Sequence, residues 1–274
     1  MVRLAYVVMA HSGADQLLRL LTAIGDPGNL YCVHLDRGSS ARFHAAVAER
    51  LTEPNQVLLR PRRVRWGGFS QVEVELAGMR AALLRGGWDY LINLSGQDYP
   101  LASQRRIMTD LAASPSRNYV GCTDQLRDWP ESLSRVTRWH LETPWGVKDL
   151  RLRRRLPGGL VPFAGSSWFI LTREFCEYAV LSPEASRLAR FYRHTVCPDE
   201  GYFQTLLMNS EFRDSVDRDV RRYVRFEPGT SRPVVLTMGD WDELSASGAY
   251  FARKFDESVD GAVLDRLDAA LASG

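Results

Sequence analysis

The sequence predicts an α/β protein built on a doubly wound, mostly parallel sheet flanked by helices, and three observations carry that prediction. Residues 4–10, 30–35 and 90–94 are apolar runs without alternation, as expected of strands buried on both faces. Segments of helical period separate them, so strand and helix signals alternate over the first hundred residues. Each run gives way to polar or glycine-containing sequence, namely His11, Asp36-Arg37 and Ser95-Gly96-Gln97-Asp98, where strand ends of such sheets bind ligands.

The elements follow in order. A first strand at 4–10 leads to a helix at 16–24, whose Leu17, Leu18, Leu20, Leu21 and Ile24 share one face. Gly25-Asp26-Pro27-Gly28 breaks the chain before the second strand. A helix at 41–51, a strand at 57–59, the loop Trp66-Gly67-Gly68, a helix at about 70–84 and the strand 90–94 complete the first part. Between 127 and 159 the chain is rich in Trp, Arg, Pro and Gly without a sustained period, and is expected to form long surface loops. A strand is expected at 165–171, helices from Arg173 and Pro183, and a closing helix near 262–271.

A chain of 274 residues, 45% of them hydrophobic, suits a single domain with an ample core, and a net charge of +2 gives no electrostatic case for nucleic-acid binding. Cys32, Cys122, Cys176 and Cys197 lie far apart, which argues against a disulfide framework or a structural zinc. The apolar N-terminal run is too short to span a bilayer and carries no small-residue cleavage site, so a soluble cytoplasmic protein without a transmembrane segment is expected. No Gly-x-Gly-x-x-Gly follows the first strand and no Gly-Lys-Ser/Thr phosphate loop exists.

Cys197-Pro198-Asp199-Glu200-Gly201-Tyr202-Phe203 sets two carboxylates behind a proline and ahead of an amphipathic run. A proline-started helix would hold Glu200 at its positive end, where ionisation is favoured and the group serves as a base; a dipole-complementing acid is the bland alternative. Asp217-Arg218-Asp219 and Asp240-Trp241-Asp242 lie late, among charged residues, and are expected to be solvated turns or helix-start acids rather than metal ligands.

Six ordered segments, 5–11, 31–37, 91–100, 165–169, 198–200 and 251–256, together resemble the core-2/I-branching β-1,6-N-acetylglucosaminyltransferase family, which includes the protein O-xylosyltransferases. The resemblance implies a GT-A-like, Rossmann-type fold in one glycosyltransferase domain, 1–274, with a nucleotide-sugar-binding half at 1–100 and an acceptor-binding and catalytic half at 101–274. It also implies inverting transfer from a UDP-sugar donor to a glycan, lipid-linked or small-molecule acceptor, with no metal and no other cofactor. Residue by residue, Glu200 matches the family's base, and Arg253 and Lys254, with Arg232 upstream, match the basic residues that neutralise the leaving diphosphate. Nucleotide contacts carry over to Met9, His11, Asp36, Arg37, Trp66, Ser167 and Trp168. On sequence grounds alone, core packing is the commoner fate of Met9 and Trp168. Asp98 is as readily a loop-fixing residue as a site residue.

Arg135, Arg138 and Trp139 fall where related enzymes place acceptor-binding residues. The arginine runs 60–65 and 151–155 suit a solvated surface or an anionic acceptor. Tyr31-Cys32-Val33-His34 and Arg232 favour N-acetylglucosamine as the donor sugar, while Trp66-Gly67-Gly68 and residues 191–195 favour xylose; the balance falls to N-acetylglucosamine. A non-catalytic UDP-sugar-binding module of the same fold is the second alternative. Retention of Glu200 together with Arg253 and Lys254 argues against it.

Overall fold

The computed structural model describes residues 2–273. Its strands are β1 (Leu4–Ala10), β2 (Leu30–Leu35), β3 (Gln56–Leu58), β4 (Tyr90–Ser95), β5 (Asp98–Pro100), β6 (Asn118–Val120), β7 (Thr123–Asp124), β8 (Arg138–Thr143), β9 (Gly146–Arg153), β10 (Phe163–Ala164), β11 (Phe169–Thr172), β12 (Val216–Asp217), β13 (Arg222–Val224) and β14 (Phe251–Arg253). The helices are α1 (Ala14–Ala23), α2 (Ala41–Ala48), α3 (Ser70–Arg85), α4 (Gln104–Ala113), α5 (Ser134–Thr137), α6 (Arg173–Leu181), α7 (Pro183–Tyr192), α8 (Tyr202–Met208), α9 (Trp241–Ala246) and α10 (Ala262–Ser273). Serine or threonine side chains cap α2, α4, α6 and α7, and Pro183 follows the Ser182 cap at the first position of α7.

Seven strands form the central sheet in the order β12-β6-β11-β4-β1-β2-β3. All neighbours run parallel except β11, which is antiparallel to both β4 and β6. The expected mostly parallel sheet flanked by helices is therefore what the chain forms. Strands from both sides of residue 100 share it. Alternate residues of β1 feed two cores: Tyr6 and Val8 pack with α1 and α10 on one face, while Ala5 and Val7 pack with α3, α6 and α8 on the other. Helix α3 lies so close to the sheet that a Cβ at Gly78 would fall 2.5 Å from Val7 Cγ2.

A small second sheet, β13-β14-β5, sits at the carboxyl edge of the first and places Arg253 opposite Asp98. Two sequence expectations need correction. The segment 127–159 is not all loop: β8 and β9 form a hairpin in which β9 is largely exposed on both faces, so no inside-outside alternation marks it. Residues 165–168 precede strand β11 as a loop, with Ser167 half-buried and Trp168 buried.

Candidate active site

The ends of β1 and β2 build one wall. Asp36 N donates to Ala10 O at 2.8 Å, and Ser39 Oγ donates to His11 O at 2.6 Å, joining the two strand ends. The Asp36 carboxylate accepts from Gly38 N at 2.5 Å and Val64 N at 2.7 Å, so it fixes its own loop and the 60–65 segment while each oxygen keeps a lone pair for a ligand. Buried His34 accepts from Arg62 N at 3.0 Å; desolvation lowers its pKa to about 4 and keeps the ring neutral. Met9 is half-buried at the same edge, and His11 and Arg37 are exposed. Arg37, Arg63, Arg65 and Arg193 line a cavity of about 700 Å³ between this wall and the β8–β9 hairpin. Trp66, 83% exposed, faces Trp145 across a smaller cavity of about 350 Å³.

The second wall is charged and buried. Asp98 is fully buried; its Oδ2 accepts from Ser95 N at 2.6 Å and Ser95 Oγ at 2.5 Å, and its Oδ1 from Arg222 Nη1 at 2.5 Å. Arg253 Nε lies 3.9 Å from the same Oδ1. The guanidiniums of Arg222 and Arg253 sit 4.7 and 4.5 Å from the centre of the Trp168 ring, so Trp168 serves as a platform for two cations as well as a packed residue. Arg253 Nε is a buried donor without an acceptor among the described residues. Lys254 follows, half-buried, with its carbonyl bonded to Leu236 N at 2.8 Å and no ion pair among the described residues. Arg232 stands apart on an exposed turn whose backbone closes through Glu227 N to Arg232 O, and its side chain makes no described contact with either wall.

Glu200 joins these parts through its backbone contact with Gly165. Its segment departs from the sequence expectation: Pro198–Glu200 is a single 3-10 turn, and α8 begins only at Tyr202. The helix-dipole argument is thereby weakened, and the local anchors matter more. Cys197 enters the turn in the left-handed region, at φ 50°, with its N–H on Gly67 O at 2.9 Å. Gly165 N donates to Glu200 O at 2.9 Å, in a crossing so tight that a Cβ at Gly165 would lie 1.8 Å from Gly121 O. The Glu200 carboxylate, about one-third exposed, accepts from Arg135 Nη1 at 2.6 Å. Arg135 in turn stacks on Trp129 at 4.9 Å. Among the acceptor candidates, Arg135 therefore reaches Glu200, whereas Arg138 pairs with Asp149 and Trp139 packs on His194.

Sequence reasoning missed Asn93, which ties the parts together. Fully buried in β4, it donates through Nδ2 to Ser167 O at 2.7 Å and to Glu75 Oε1 at 3.0 Å. Its Oδ1 accepts from Phe169 N and its carbonyl from Arg222 Nη2, both at 2.9 Å. The signal was present: a lone asparagine in an otherwise apolar strand must find partners to be buried. Of the Asp-x-Asp strings, Asp217 and Asp219 cap their own turn. Asp240 and Asp242 are helix-start acids, the second of the two fates expected: both stand at the start of α9, and Asp240 is buried, closing a capping box with Thr237 and pairing with Arg225. All four cysteines are free thiols. No described helix is long and apolar enough to cross a membrane.

The chain matches known proteins over nearly its whole length. Residues 4–249 match the model of the core-2/I-branching enzyme family. Xylosyltransferase 2 of Canis lupus familiaris is 30% identical over 293 residues, covering 97% of this chain and 33% of that protein. Xylosyltransferase 2 of Rattus norvegicus is likewise 30% identical, over 98% of this chain and 33% of that protein. Xylosyltransferase 1 of Canis lupus familiaris is 29% identical, over 97% of this chain and 30% of that protein. The chain thus spans about a third of the length of these relatives. With a family match over most of its length and that family's ordered motifs converging on one sheet edge, the chain belongs to the core-2/I-branching enzyme family of glycosyltransferases.

Proposed function

We propose that this chain transfers a sugar from a UDP-sugar donor to a hydroxyl of a glycan, lipid-linked or small-molecule acceptor, with inversion and without a metal. The observation that carries the proposal is the placement of Glu200: a partly exposed carboxylate whose backbone is pinned to Gly165, three residues before the Trp168 ring on which Arg253 rests. In the reaction, Glu200 takes the acceptor hydroxyl proton as the oxygen attacks the anomeric carbon from the face opposite the diphosphate. The bond from that carbon to the UDP oxygen breaks with its electron pair on UDP, and Arg253, Lys254 and, from its turn, Arg232 meet the charge. Arg135 holds the Glu200 carboxylate in line until the proton arrives.

The nucleotide half of the donor suits the β1 and β2 ends, with Met9, His11, Asp36 and Arg37 against the base and ribose, and Trp66, Ser167 and Trp168 toward the sugar. For the sugar itself, the names of the relatives favour xylose over the N-acetylglucosamine that the sequence motifs favour. UDP-xylose and UDP-N-acetylglucosamine are accordingly the two donors to compare. Glu200→Gln fills the same space and cannot accept the proton, so it should retain donor-induced thermal stabilisation and lose roughly 100-fold or more in turnover with either donor. Near-parental transfer by this variant would remove Glu200 from the role of base.

A further inference from the structure

Two buried acids have no part in the chemistry above. Glu75 in α3 and Asp199, the residue before Glu200, are 1% and 8% exposed. One oxygen of each is satisfied: Glu75 Oε1 by Asn93 Nδ2, and Asp199 Oδ2 by Gln71 Nε2, both at 3.0 Å. The other oxygens, Glu75 Oε2 and Asp199 Oδ1, are buried with no hydrogen-bond partner among the described residues. Gln71 and Glu75 are four residues apart on α3, so they occupy one helix face, the face turned to the Pro198–Glu200 turn.

The charged groups around them offer little relief. Glu200 and Arg135 are bound to each other, Glu73 of α3 is bound to Arg62 and Arg193, and burial pushes the Cys197 thiol up to about 12, leaving it uncharged. Two unpaired acceptor oxygens held in a dry interior cost free energy, and one proton removes both deficits, because a neutral carboxyl donates where a carboxylate only accepts.

We propose that Glu75 and Asp199 hold one proton between them, with the Glu75 carboxyl donating to Asp199 Oδ1, and that this dyad is a positioning element seating the three-residue turn that carries Glu200. The proposal rests on the assignment of Glu200 as base only for its catalytic consequence. Both carboxyls titrate upward: desolvation and then the charge of Asp199 raise Glu75, while desolvation and then the charge of Glu200 raise Asp199 to about 7. Without the dyad the turn would be held from outside by Arg135, by the Gly165 amide and, at its entry, by the bond from Cys197 N to Gly67 O.

The test uses the free protein first. Near neutral pH, infrared spectra should show a protonated-carboxyl stretch that disappears in Glu75→Gln, where an amide donates to an ionised Asp199 instead. A carboxyl raised on folding stabilises fully below its unfolded value of 3.8, and that contribution is lost as pH rises through about 7. Wild-type melting temperature should therefore fall across that window, and Asp199→Asn should flatten the fall. In turnover, Glu75→Gln should stay within about threefold of wild type while Glu75→Leu loses roughly tenfold or more in kcat with little change in donor KM, as for a misplaced base. Absence of the stretch, its survival in Glu75→Gln, an unaltered pH slope in Asp199→Asn, or equal damage from Gln and Leu would each overturn the dyad. The spectral and melting readouts need no substrate, so they stand or fall separately from the Glu200→Gln experiment.

Discussion

Replacing Asp98 by asparagine breaks an ion pair whose two side chains are 1% and 0% exposed. The substitution keeps shape and volume but removes the charge facing Arg222, whose side chain is 1% exposed and whose only other hydrogen-bonded partner among the described residues is the Asn93 carbonyl at 2.9 Å. The rings of Trp168 and Phe251, at 4.7 and 5.2 Å, remain as cation acceptors, worth about 0.5–2 kcal/mol together with the desolvation they cause. That is less than the cost of stranding a buried charge, about 3–5 kcal/mol. The ring contacts are present in both forms and offset nothing, so the loss is about 3–5 kcal/mol, and at roughly 2–4 °C per kcal/mol the melting temperature should drop by about 10 °C or more. Thermal melting with urea unfolding as a check measures it. Removing the cation as well, in Asp98→Asn/Arg222→Met, should recover a substantial part of the loss, since no arginine charge is then left stranded at position 222. A shift of only a degree or two in Asp98→Asn, or a double variant no better than the single, would refute the view that Asp98 exists to neutralise Arg222.

Two other perturbations address the donor site. Trp66→Ala should weaken UDP-sugar binding while leaving the melting temperature of the free protein nearly unchanged, because an 83%-exposed side chain holds no core together; a loss of the 3–5 kcal/mol typical of a buried aromatic, read by denaturant titration, would show it to be a packing residue instead. Transfer activity should survive excess EDTA, and Lys254→Ala should lower donor affinity and rate together without rescue by manganese; complete loss in EDTA restored by manganese would overturn the metal-free mechanism.

The sheet was legible because β1, β2 and β4 are buried on both faces and so must be apolar throughout; composition and structure are the same constraint there. The hairpin β8–β9 escaped because little of it is buried, and the three-residue strands β5, β13 and β14 because so short an element has no period to detect. Glu200 stood out only through its company of ordered motifs, since acids behind a proline occur in many helix starts. The long-range partners were less legible: Arg135 was singled out only as an acceptor candidate, not as the partner of Glu200, and Asn93 and Arg222 not at all, because they acquire their roles from neighbours 65, 74 and 124 positions away and no local pattern encodes such a meeting. Glu75 would have read as a charged residue on a helix, and only burial exposes it as an anomaly.

The small sheet has a consequence for how the protein comes to be. Its strands draw residues 98–100 to residues 222–224 and 251–253, so closing it requires loops of more than a hundred residues to be paid for in chain entropy before any reward is collected. A ribosome releases the chain in order, and β1, β2 and β4 can pair long before β14 has emerged. During that interval Asp98 waits with neither arginine beside it, and the cationic platform on Trp168 does not exist. On the proposed function, competence to hold the donor comes late in synthesis, and in a refolding experiment donor-induced stabilisation should lag behind recovery of helical signal.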